Sequence, residues 1–382
     1  MSLQSKPFPA SERAKKIVKD NIAIDTLIAP VWGLGWSKEE QMLEYFDRAR
    51  EAGITLIGIT HAFGPNLMQT TMAELKRYAS IAMQQTDKFV LATSARDIEY
   101  AHENGLSAIY FNSQTCENLD YDPSNMVLLK LLGTGSMLLS YNESFRAGDG
   151  GMVTTAWGEE SKGLTEYGKK VIDAMVANRV MVDASHASER LALEIVEYVK
   201  ERHPDTPVVC THQQPLGAVD YPPRSYSDKV LEAIASTGGV ISNVYFNALM
   251  GVSPDRGDQG SPEEFAAILD YSVQVMGVDH VAMCTDGAFD MAPMNAYAKA
   301  HPEQYDDYTV DYASSEAGFL DGELALTMPA IVDVLLDKLN YSEEDVKKVI
   351  GGNWMRMIKT VWDGQPLYTP GLEDKELNVY KP

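Results

Sequence analysis

Residues 163–197, "GLTEYGKKVIDAMVANRVMVDASHASERLALEIVE", contain the pattern that decides the fold. Apolar residues recur at helical spacing over 164–178, and the β-branched run "RVMVDAS" at 179–185 predicts a short buried strand. A second helical pattern follows over 188–202. A buried strand between two helices is typical of a parallel sheet that is covered by helices.

The same alternation runs along the whole chain. Short strand-like runs lie at 22–28, 54–60, 88–93, 107–112, 136–141, 179–185, 207–211, 238–245 and 280–285. We expect 88–93 to be a short extra strand, which leaves about eight βα units and predicts a closed (β/α)8 barrel, the TIM barrel. An open doubly wound sheet is the alternative, but no strand is followed by a glycine-rich nucleotide-binding motif.

Amphipathic helical patterns separate the strand-like runs, for example at 38–52 and 227–237. Gly53, Asn104 and Asn178 stand just before predicted strands. They are predicted to end helices, because glycine and asparagine tolerate the left-handed conformation that often follows the last helical turn.

Two stretches are long for barrel loops, at 142–163 and 287–325. Long loops that follow strands are often lids or subunit contacts. The sequence contains no internal repeat and no linker, so we expect one barrel domain over residues 1–382. The stretch at about 287–325 is then an insertion, and the polar tail after about 363 packs on the surface.

Composition limits the classes of function. The 382 residues are 45% hydrophobic and 23% charged, and the net charge of −23 disfavours binding to nucleic acid or to an anionic membrane. Cys116, Cys210 and Cys284 have no metal-finger spacing and are expected to be buried free thiols in a reducing compartment. Because neither an apolar leader nor a membrane-spanning apolar run is present, we expect a cytoplasmic protein.

Several predicted strands end in polar side chains that can bind a metal or a substrate. They are His186 in "VMVDASH", His212 in "PVVCTH", Asp286 in "HVAMCTD", His61 in "IGITH", Asn112 in "AIYFN" and Tyr141 in "LLSY". The carboxyl ends of barrel strands meet at one mouth, so these side chains are expected to converge. A lone buried histidine is usually only hydrogen-bonded, but two histidines and an aspartate on three strand ends favour a zinc site.

Longer segments resemble a known family. They are the opening stretch above, "LLSYNESFRAGDGG", "PVVCTHQQPLGAVDYPPRSYSD", "GVDHVAMCTDGAFD", "YSEEDVKKVIGGNWMRMIKTVW" and the early "AIDTLIAP". Together they resemble the membrane (renal-type) dipeptidase family, peptidase family M19 of the amidohydrolase-like barrels. The resemblance implies that metal-activated water cleaves an amide bond of a dipeptide or an N-acyl amino acid, and that the protein is a homo-oligomer.

The resemblance also implies roles for single residues. His186 and His212 match the two histidines that bind one of the family's paired zinc ions. Asp286 matches the aspartate that binds the other zinc and handles the proton of the attacking water. Arg224 matches the arginine that grips the terminal carboxylate of the substrate, a task suited to a bidentate guanidinium. The alternative for Arg224 is a surface arginine paired with Asp228.

The chain departs from the family pattern at several ligand positions. Leu27 and Ala29 stand where the family carries His-x-Asp after the acid that matches Asp25. The bridging glutamate of the family falls near Asn112, and its strand-four histidine is Tyr141 here. The sequence is therefore identified as a member of a divergent subgroup that lacks the strand-one His-x-Asp.

The remaining groups define the expected site. His186, His212 and Asp286 are predicted to hold one zinc ion rather than two, or another divalent metal, and His61 is either a replacement ligand or a polar pocket wall. Asp183 is a candidate to orient one of the histidines.

Roles are also predicted for groups that touch the substrate. Asp286 is expected to act as the proton carrier and Tyr141 as a hydrogen-bond donor to the oxyanion. Arg224 and Asn112 are expected to bind the substrate.

Two further functions remain open from the sequence. One is a metal-free pseudoenzyme or binding protein that keeps the pocket. The other is a barrel enzyme, such as a lyase, that acts on a small carboxylate or a quaternary-amine metabolite. In that case Trp32, Trp36 and Trp157 form an aromatic wall for a cationic group, although plain packing also accounts for them.

Overall fold

A computed structural model describes residues 7–29, 38–65, 67–155, 158–219, 224–253, 256–288, 291–300 and 323–363. Its strands are β1 (Ala23–Ile28), β2 (Ile54–Phe63), β3 (Phe89–Leu91), β4 (Ser107–Gln114), β5 (Thr134–Leu138), β6 (Met181–Asp183), β7 (Val208–Val209), β8 (Gln214–Pro215), β9 (Ser225–Tyr226), β10 (Ile241–Val244) and β11 (Val281–Cys284).

The α-helices are α1 (Glu12–Asp20), α2 (Glu39–Ala52), α3 (Met68–Gln84), α4 (Ala95–Asn104), α5 (Met126–Leu131), α6 (Gly151–Thr155), α7 (Glu166–Ala177), α8 (Glu189–Arg202), α9 (Asp228–Ala235), α10 (Pro262–Met276), α11 (Met291–Ala300), α12 (Leu324–Asp337), α13 (Glu343–Lys347) and α14 (Asn353–Val361). Short 3-10 turns lie at Glu117–Leu119, Pro123–Asn125 and Val278–His280, and a π-helical turn at Lys348–Gly352 precedes α14. Within the described ranges, no helix is long and apolar enough to cross a bilayer.

The parallel strands close into a ring. One sheet has the order β1-β2-β4-β5-β6-β7, and β10 pairs with β11. Cys210, directly after β7, forms a parallel bridge to Ile241 of β10. The backbone nitrogen of Asp286, just after β11, donates to the carbonyl oxygen of Leu27 in β1 at 3.0 Å. Eight strands of the described chain thus form the predicted (β/α)8 barrel.

The extra strand lies outside this ring, as predicted. β3 pairs only with β4 among the described strands, over Phe89–Leu91. β8 and β9 form a second small pair, which the sequence pattern did not indicate.

Helix α14 fills the end of the barrel where the strands begin. The indole rings of Trp354 and Trp362 are buried there among early strand residues, which include Ile24, Leu56, Ala108, Met181 and Ala282. Gly135 is required in this layer, because a Cβ at that position would lie 2.1 Å from a ring carbon of Trp362. With one end plugged, the carboxyl ends of the strands are left as the mouth for a site.

Helix ends follow the predicted chemistry with two shifts. Gly53 ends α2 in the left-handed region at φ 100°, as predicted. Asn178 follows α7 as predicted, but at φ −95°, and the left-handed residue there is Arg179 at φ 59°. Asn104 is instead the last residue of α4, and Gly105 takes the left-handed cap at φ 64°. Glycine occupies that conformation without the steric cost of a Cβ, so it takes the cap where both residues are available.

Two strands run further than the sequence indicated. β2 continues to Phe63, with a bulge between Thr60 and Ala62, and β4 continues to Gln114. The side chain of Gln114 donates to the hydroxyl of Thr60 at 2.8 Å, which satisfies both polar groups in the buried interior. His61 and Asn112 consequently lie inside strands, and the prediction that they end them is wrong.

A buried carboxylate fastens the last strand to the first. Asp25 in β1 is fully buried and accepts hydrogen bonds from the backbone nitrogen of Thr285 at 2.9 Å and from its hydroxyl at 2.5 Å. The hydroxyl of Tyr45 in α2 donates to the same carboxylate at 3.3 Å. Burial raises the pKa of Asp25 to about 6, and these hydrogen bonds lower it in part. Asp25 thus acts as a structural clamp at the closure of the barrel.

The clamp predicts a pH dependence of stability. The folded-state pKa of about 6 lies above the ordinary value of 3.8, so ionising Asp25 costs folding free energy as the pH rises between these values. Relative to Asp25→Asn, the free energy of unfolding of the wild type should fall by on the order of 3 kcal/mol between pH 4 and 7, at about 1.36 kcal/mol per pKa unit. Urea unfolding of both proteins in the presence of a chelator measures the difference. A difference that stays flat or grows with pH would contradict the clamp.

Candidate active site

Two predicted histidines lie side by side at the mouth of the barrel. His186 and His212 each follow the end of a strand by three residues, after β6 and β7. Their Nε2 atoms are 2.9 Å apart, and both side chains are buried. His186 adopts φ 63°, an uncommon left-handed conformation for a non-glycine residue, which turns the chain directly after the strand.

Neighbouring side chains fix both rings. The Nδ1 atom of His186 is 2.8 Å from Oδ1 of Asn142, and the ring of Tyr141 stacks on the imidazole with centroids 4.2 Å apart. The Nδ1 atom of His212 is 2.8 Å from the hydroxyl of Thr211. Because these contacts restrain both rings, the direction in which each Nε2 atom points is fixed.

Burial keeps both imidazoles neutral. Desolvation lowers the pKa of His186 and of His212 well below the usual value, and the nearby charge of Arg224 lowers both further. Neutral imidazole is the form that binds metal ions, so the pair is available as ligand at neutral pH.

Asp286 stands next to the pair. Its Oδ1 atom lies 3.9 Å from Nε2 of His212, and its Oδ2 atom lies 3.5 Å from Nη2 of Arg224. The side chain is 14% exposed, so it still meets the mouth. Burial raises the pKa of Asp286 to about 7; Arg224 lowers it, and Asp25 raises it further.

Arg224 belongs to this site and not to the surface. Its side chain is 5% exposed, and its guanidinium donates to Oε1 of Gln213 and to the carbonyl oxygen of His212, both at 3.4 Å. Asp228, the alternative partner considered from sequence, instead accepts from the hydroxyl of Tyr271 at 2.9 Å. The arginine therefore offers its charge beside Asp286 at the mouth.

The donor set suits a divalent metal ion. Within the described part of the chain, no three His, Cys, Asp or Glu side chains are already close enough to bind one metal ion together. Oδ1 of Asp286 lies 3.9 Å from Nε2 of His212. The two Nε2 atoms are, however, separated by roughly the 3 Å expected of two nitrogens that each bind one zinc ion at about 2.0–2.1 Å. Neutral imidazoles beside a carboxylate are the ligands that zinc prefers.

His61 is not brought to this group. Its Nε2 atom lies 3.1 Å from the hydroxyl of Thr134, and its ring meets the edge of Phe111. Burial lowers the pKa of His61 to about 3, and its Nδ1 atom has no partner among the described residues. His61 therefore lies in the barrel interior, apart from the histidine pair.

Asn112 lies deeper in the barrel, below the histidines. Its amide nitrogen donates to the hydroxyl of Ser136 at 2.7 Å and approaches Oδ2 of Asp183 at 3.4 Å. Its amide oxygen is buried and has no partner within the described part of the chain. Through Asp183 and Thr211, Asn112 is connected to His212.

The substituted positions of the first strand take part in closing the barrel. Leu27 packs in the hydrophobic core, and the backbone nitrogen of Ala29 donates to the carbonyl oxygen of Gly287 at 2.7 Å. The loop that follows, with Trp32 and Trp36, lies outside the described residues, as do Trp157 and most of 287–325. The aromatic wall considered from sequence therefore falls outside the described part of the chain.

The long loop after β5 is anchored at the mouth. Asp149 is fully buried and accepts from the hydroxyls of Ser144 at 2.5 Å and Ser161 at 3.0 Å. The backbone nitrogen of Gly151 donates to the carbonyl oxygen of His186 at 2.7 Å. The described part of 142–163 therefore packs on the histidine pair and supplies Asn142 to it.

Sequence reasoning did not single out Asn142, Thr211 and Gln213. Each adjoins a predicted site residue, since Asn142 follows Tyr141 and the other two flank His212. Adjacency to a strand-end ligand was the available signal.

The chain is similar to proteins of a known family. The model of a family described as membrane dipeptidase (peptidase family M19) matches residues 12–313. The chain belongs to this family.

A curated relative and solved structures are also similar to this chain. Dipeptidase ataJ of Aspergillus terreus is 22% identical over 319 residues, which are 78% of this chain and 68% of that protein. An amidohydrolase from Pseudomonas aeruginosa superposes with a TM-score of 0.76 at 22% identity and covers 92% of this chain and 99% of its own.

A third protein adds a bound ligand to the comparison. A metallo peptidase from Rhodobacter sphaeroides, liganded with a phosphinate mimic of the dipeptide L-Ala-D-Ala, superposes with a TM-score of 0.68 at 16% identity, over 90% of this chain and 99% of its own. The two structural likenesses show the barrel fold.

Proposed function

We propose that this protein is a metal-dependent amidohydrolase that cleaves the amide bond of a dipeptide or an N-acyl amino acid. The observation that carries the proposal is the pair of neutral imidazoles, His186 and His212, with Nε2 atoms 2.9 Å apart beside Asp286. Membership of the dipeptidase family supports the reaction class. The phosphinate dipeptide mimic bound to the Rhodobacter sphaeroides neighbour supports the substrate class.

One metal ion, zinc in the first place, fits this chain better than two. Leu27 and Ala29 offer no ligand atoms on their side chains, and Leu27 is packed in the core. The amide nitrogen of Asn112 is engaged by Ser136 and Asp183, and the neutral amide brings no bridging charge. His186, His212 and Asp286 would hold the single ion.

Each group around the proposed ion has a separate chemical role. A bound divalent ion would supply a Lewis acid that activates water. Asp286, whose Oδ1 atom lies 3.9 Å from Nε2 of His212, takes up a proton and returns it to the leaving amine. Tyr141, stacked on His186, carries the phenol that donates to the developing oxyanion.

Two groups are assigned to the substrate. Arg224 binds its terminal carboxylate, and the 3.5 Å contact with Asp286 places that carboxylate close to the proton carrier. The buried amide oxygen of Asn112, which no described residue contacts by a hydrogen bond, accepts one from an N–H group of the substrate.

We also propose that the chain is a single barrel domain, forms a homo-oligomer and acts in the cytoplasm. The sequence pattern supports the single domain, the family resemblance supports the homo-oligomer, and the composition supports the location.

A second candidate is a metal-free binding protein for small carboxylates. It is favoured by the 3.5 Å pairing of Arg224 with Asp286, which gives a charged carboxylate site without any metal. Calorimetric titration of chelator-treated protein with simple carboxylates, followed by the hydrolysis assay below, separates the two candidates.

Metal content and hydrolysis test the proposal directly. Protein purified without chelator should contain about one equivalent of divalent metal, and a panel of dipeptides and N-acyl amino acids should reveal hydrolysis that a chelator abolishes and zinc, manganese or cobalt restores. Asp286→Asn should keep the fold and lower kcat by about 100-fold or more, as loss of a general acid–base does. The proposal fails if no metal binds even in excess and His186→Ala changes neither binding nor rate.

The role of Arg224 predicts a substrate-dependent defect. Arg224→Lys should raise KM about 10-fold or more for a dipeptide with a free carboxylate, since lysine cannot make the bidentate contact. The same dipeptide with an amidated C-terminus should lose little. Arg256→Lys is the matched control, because Arg256 pairs with Asp258 and Glu264 outside the site. Equal defects on both substrates would exclude the carboxylate role.

A further inference from the structure

A threonine hydroxyl connects a buried carboxylate to one of the two histidines. The Oγ1 atom of Thr211 lies 2.5 Å from Oδ2 of Asp183 and 2.8 Å from Nδ1 of His212. All three side chains are fully buried, so water does not compete for these bonds. Asp183 thus reaches the histidine through Thr211 and not by direct contact.

The surroundings of Asp183 set the direction of these bonds. Its Oδ1 atom accepts from the backbone nitrogen of Ser185 at 2.9 Å and from the hydroxyl of Ser185 at 2.7 Å. The amide nitrogen of Asn112 also faces its second oxygen. Every one of these neighbours donates, so the carboxylate acts as the acceptor.

One hydrogen on the threonine then decides the histidine tautomer. The single hydroxyl hydrogen of Thr211 points to Asp183, which leaves only a lone pair of Oγ1 for the histidine. His212 must therefore carry its hydrogen on Nδ1 and donate it to Thr211. Its Nε2 lone pair is left facing Nε2 of His186 at 2.9 Å, which is where a metal ion would bind.

The threonine itself is held from three sides. Its carbonyl oxygen accepts from the hydroxyl of Thr26 across the barrel at 2.7 Å, and its backbone nitrogen donates to Asp183 at 3.3 Å. The next backbone nitrogen, of His212, donates to the hydroxyl of Ser185 at 3.2 Å. These bonds fix the backbone that carries the hydroxyl of Thr211 and the ring of His212.

We infer that Thr211 is a positioning residue that locks His212 in the Nδ1–H tautomer, with Asp183 as its anchor. The identity of the ligand as a divalent ion rests on the proposed function, whereas the tautomer does not. Without the hydroxyl, His212 loses the acceptor for its Nδ1 hydrogen, and its Nε2 lone pair is no longer held at the mouth.

The tautomer is measurable in metal-free protein. Long-range ¹⁵N–¹H spectra of histidine-labelled wild type, with His212 assigned by comparison with His212→Gln, should show a protonated Nδ1 and a bare Nε2. Thr211→Ser should keep this signature, and Thr211→Val should lose it. Thr55→Val is the matched control, because it removes a 3.1 Å contact between a threonine hydroxyl and Nδ1 of His102 elsewhere and should alter only His102.

Zinc affinity gives the second readout. In competition with a chromogenic chelator, Thr211→Val should bind zinc about 10–100-fold more weakly than wild type, the usual cost of removing an outer partner of a ligating histidine. Thr211→Ser and Thr55→Val should stay close to wild type.

The two readouts separate the possible failures. Wild-type His212 with its hydrogen on Nε2 overturns the inference whether or not zinc binds, and so does a Thr211→Val protein that keeps both the Nδ1–H signature and wild-type affinity. If zinc fails to bind a wild type that has the expected tautomer, the proposed function fails while the role of Thr211 in setting the tautomer is upheld. Even if Thr211→Val does not fold, the wild-type spectrum still tests the inference, because a hydrogen on Nε2 overturns it and a hydrogen on Nδ1 supports it.

Discussion

The closure between the first and last strands is the constraint on which the mouth depends. Asp25 holds Thr285, and the backbone nitrogen of the next residue, Asp286, donates to Leu27. A parallel barrel lacks edge strands only if its first and last strands are joined. Here the contacts that join them lie next to Asp286. The same residues that close the barrel therefore fix the position of Asp286 beside His212.

The closure also explains why the first strand accommodates an apolar residue at position 27. The carbonyl oxygen of Leu27 accepts the hydrogen bond that joins the first and last strands, and its side chain packs in the hydrophobic core. The fold therefore needs no polar side chain at that position. The histidine pair lies on the opposite side, after β6 and β7, where Asp183 and Thr211 support it. A buried carboxylate with several donors costs less to maintain than an unpaired one, and it orients the ligand in return.

Much of this was predictable from sequence. The barrel strands stand out because β-branched apolar runs alternate with helical patterns, and strand-end polar residues indicate the mouth. The ends of β2 and β4 were misjudged because buried polar residues such as His61 and Asn112 look like strand termini when their partners across the barrel are unknown.

The contacts that position the site residues are harder to predict from the sequence. The bond between Asp183 and Thr211 depends on the register of β6 against β7, which pairs Asp183 with Val209. Arg224 had a plausible partner in nearby Asp228, and only the tertiary position of its loop pairs it with Asp286. Such contacts join residues far apart in the chain, so local pattern does not encode them.

The proposed function requires a single metal ion held by the histidine pair. Anomalous diffraction from crystals grown with zinc, measured on both sides of the zinc absorption edge, tests this most directly. We expect one anomalous peak per chain at this mouth, within about 2.0–2.3 Å of Nε2 of both His186 and His212. Two peaks in the site, or none near this pair while the protein is active, would contradict it.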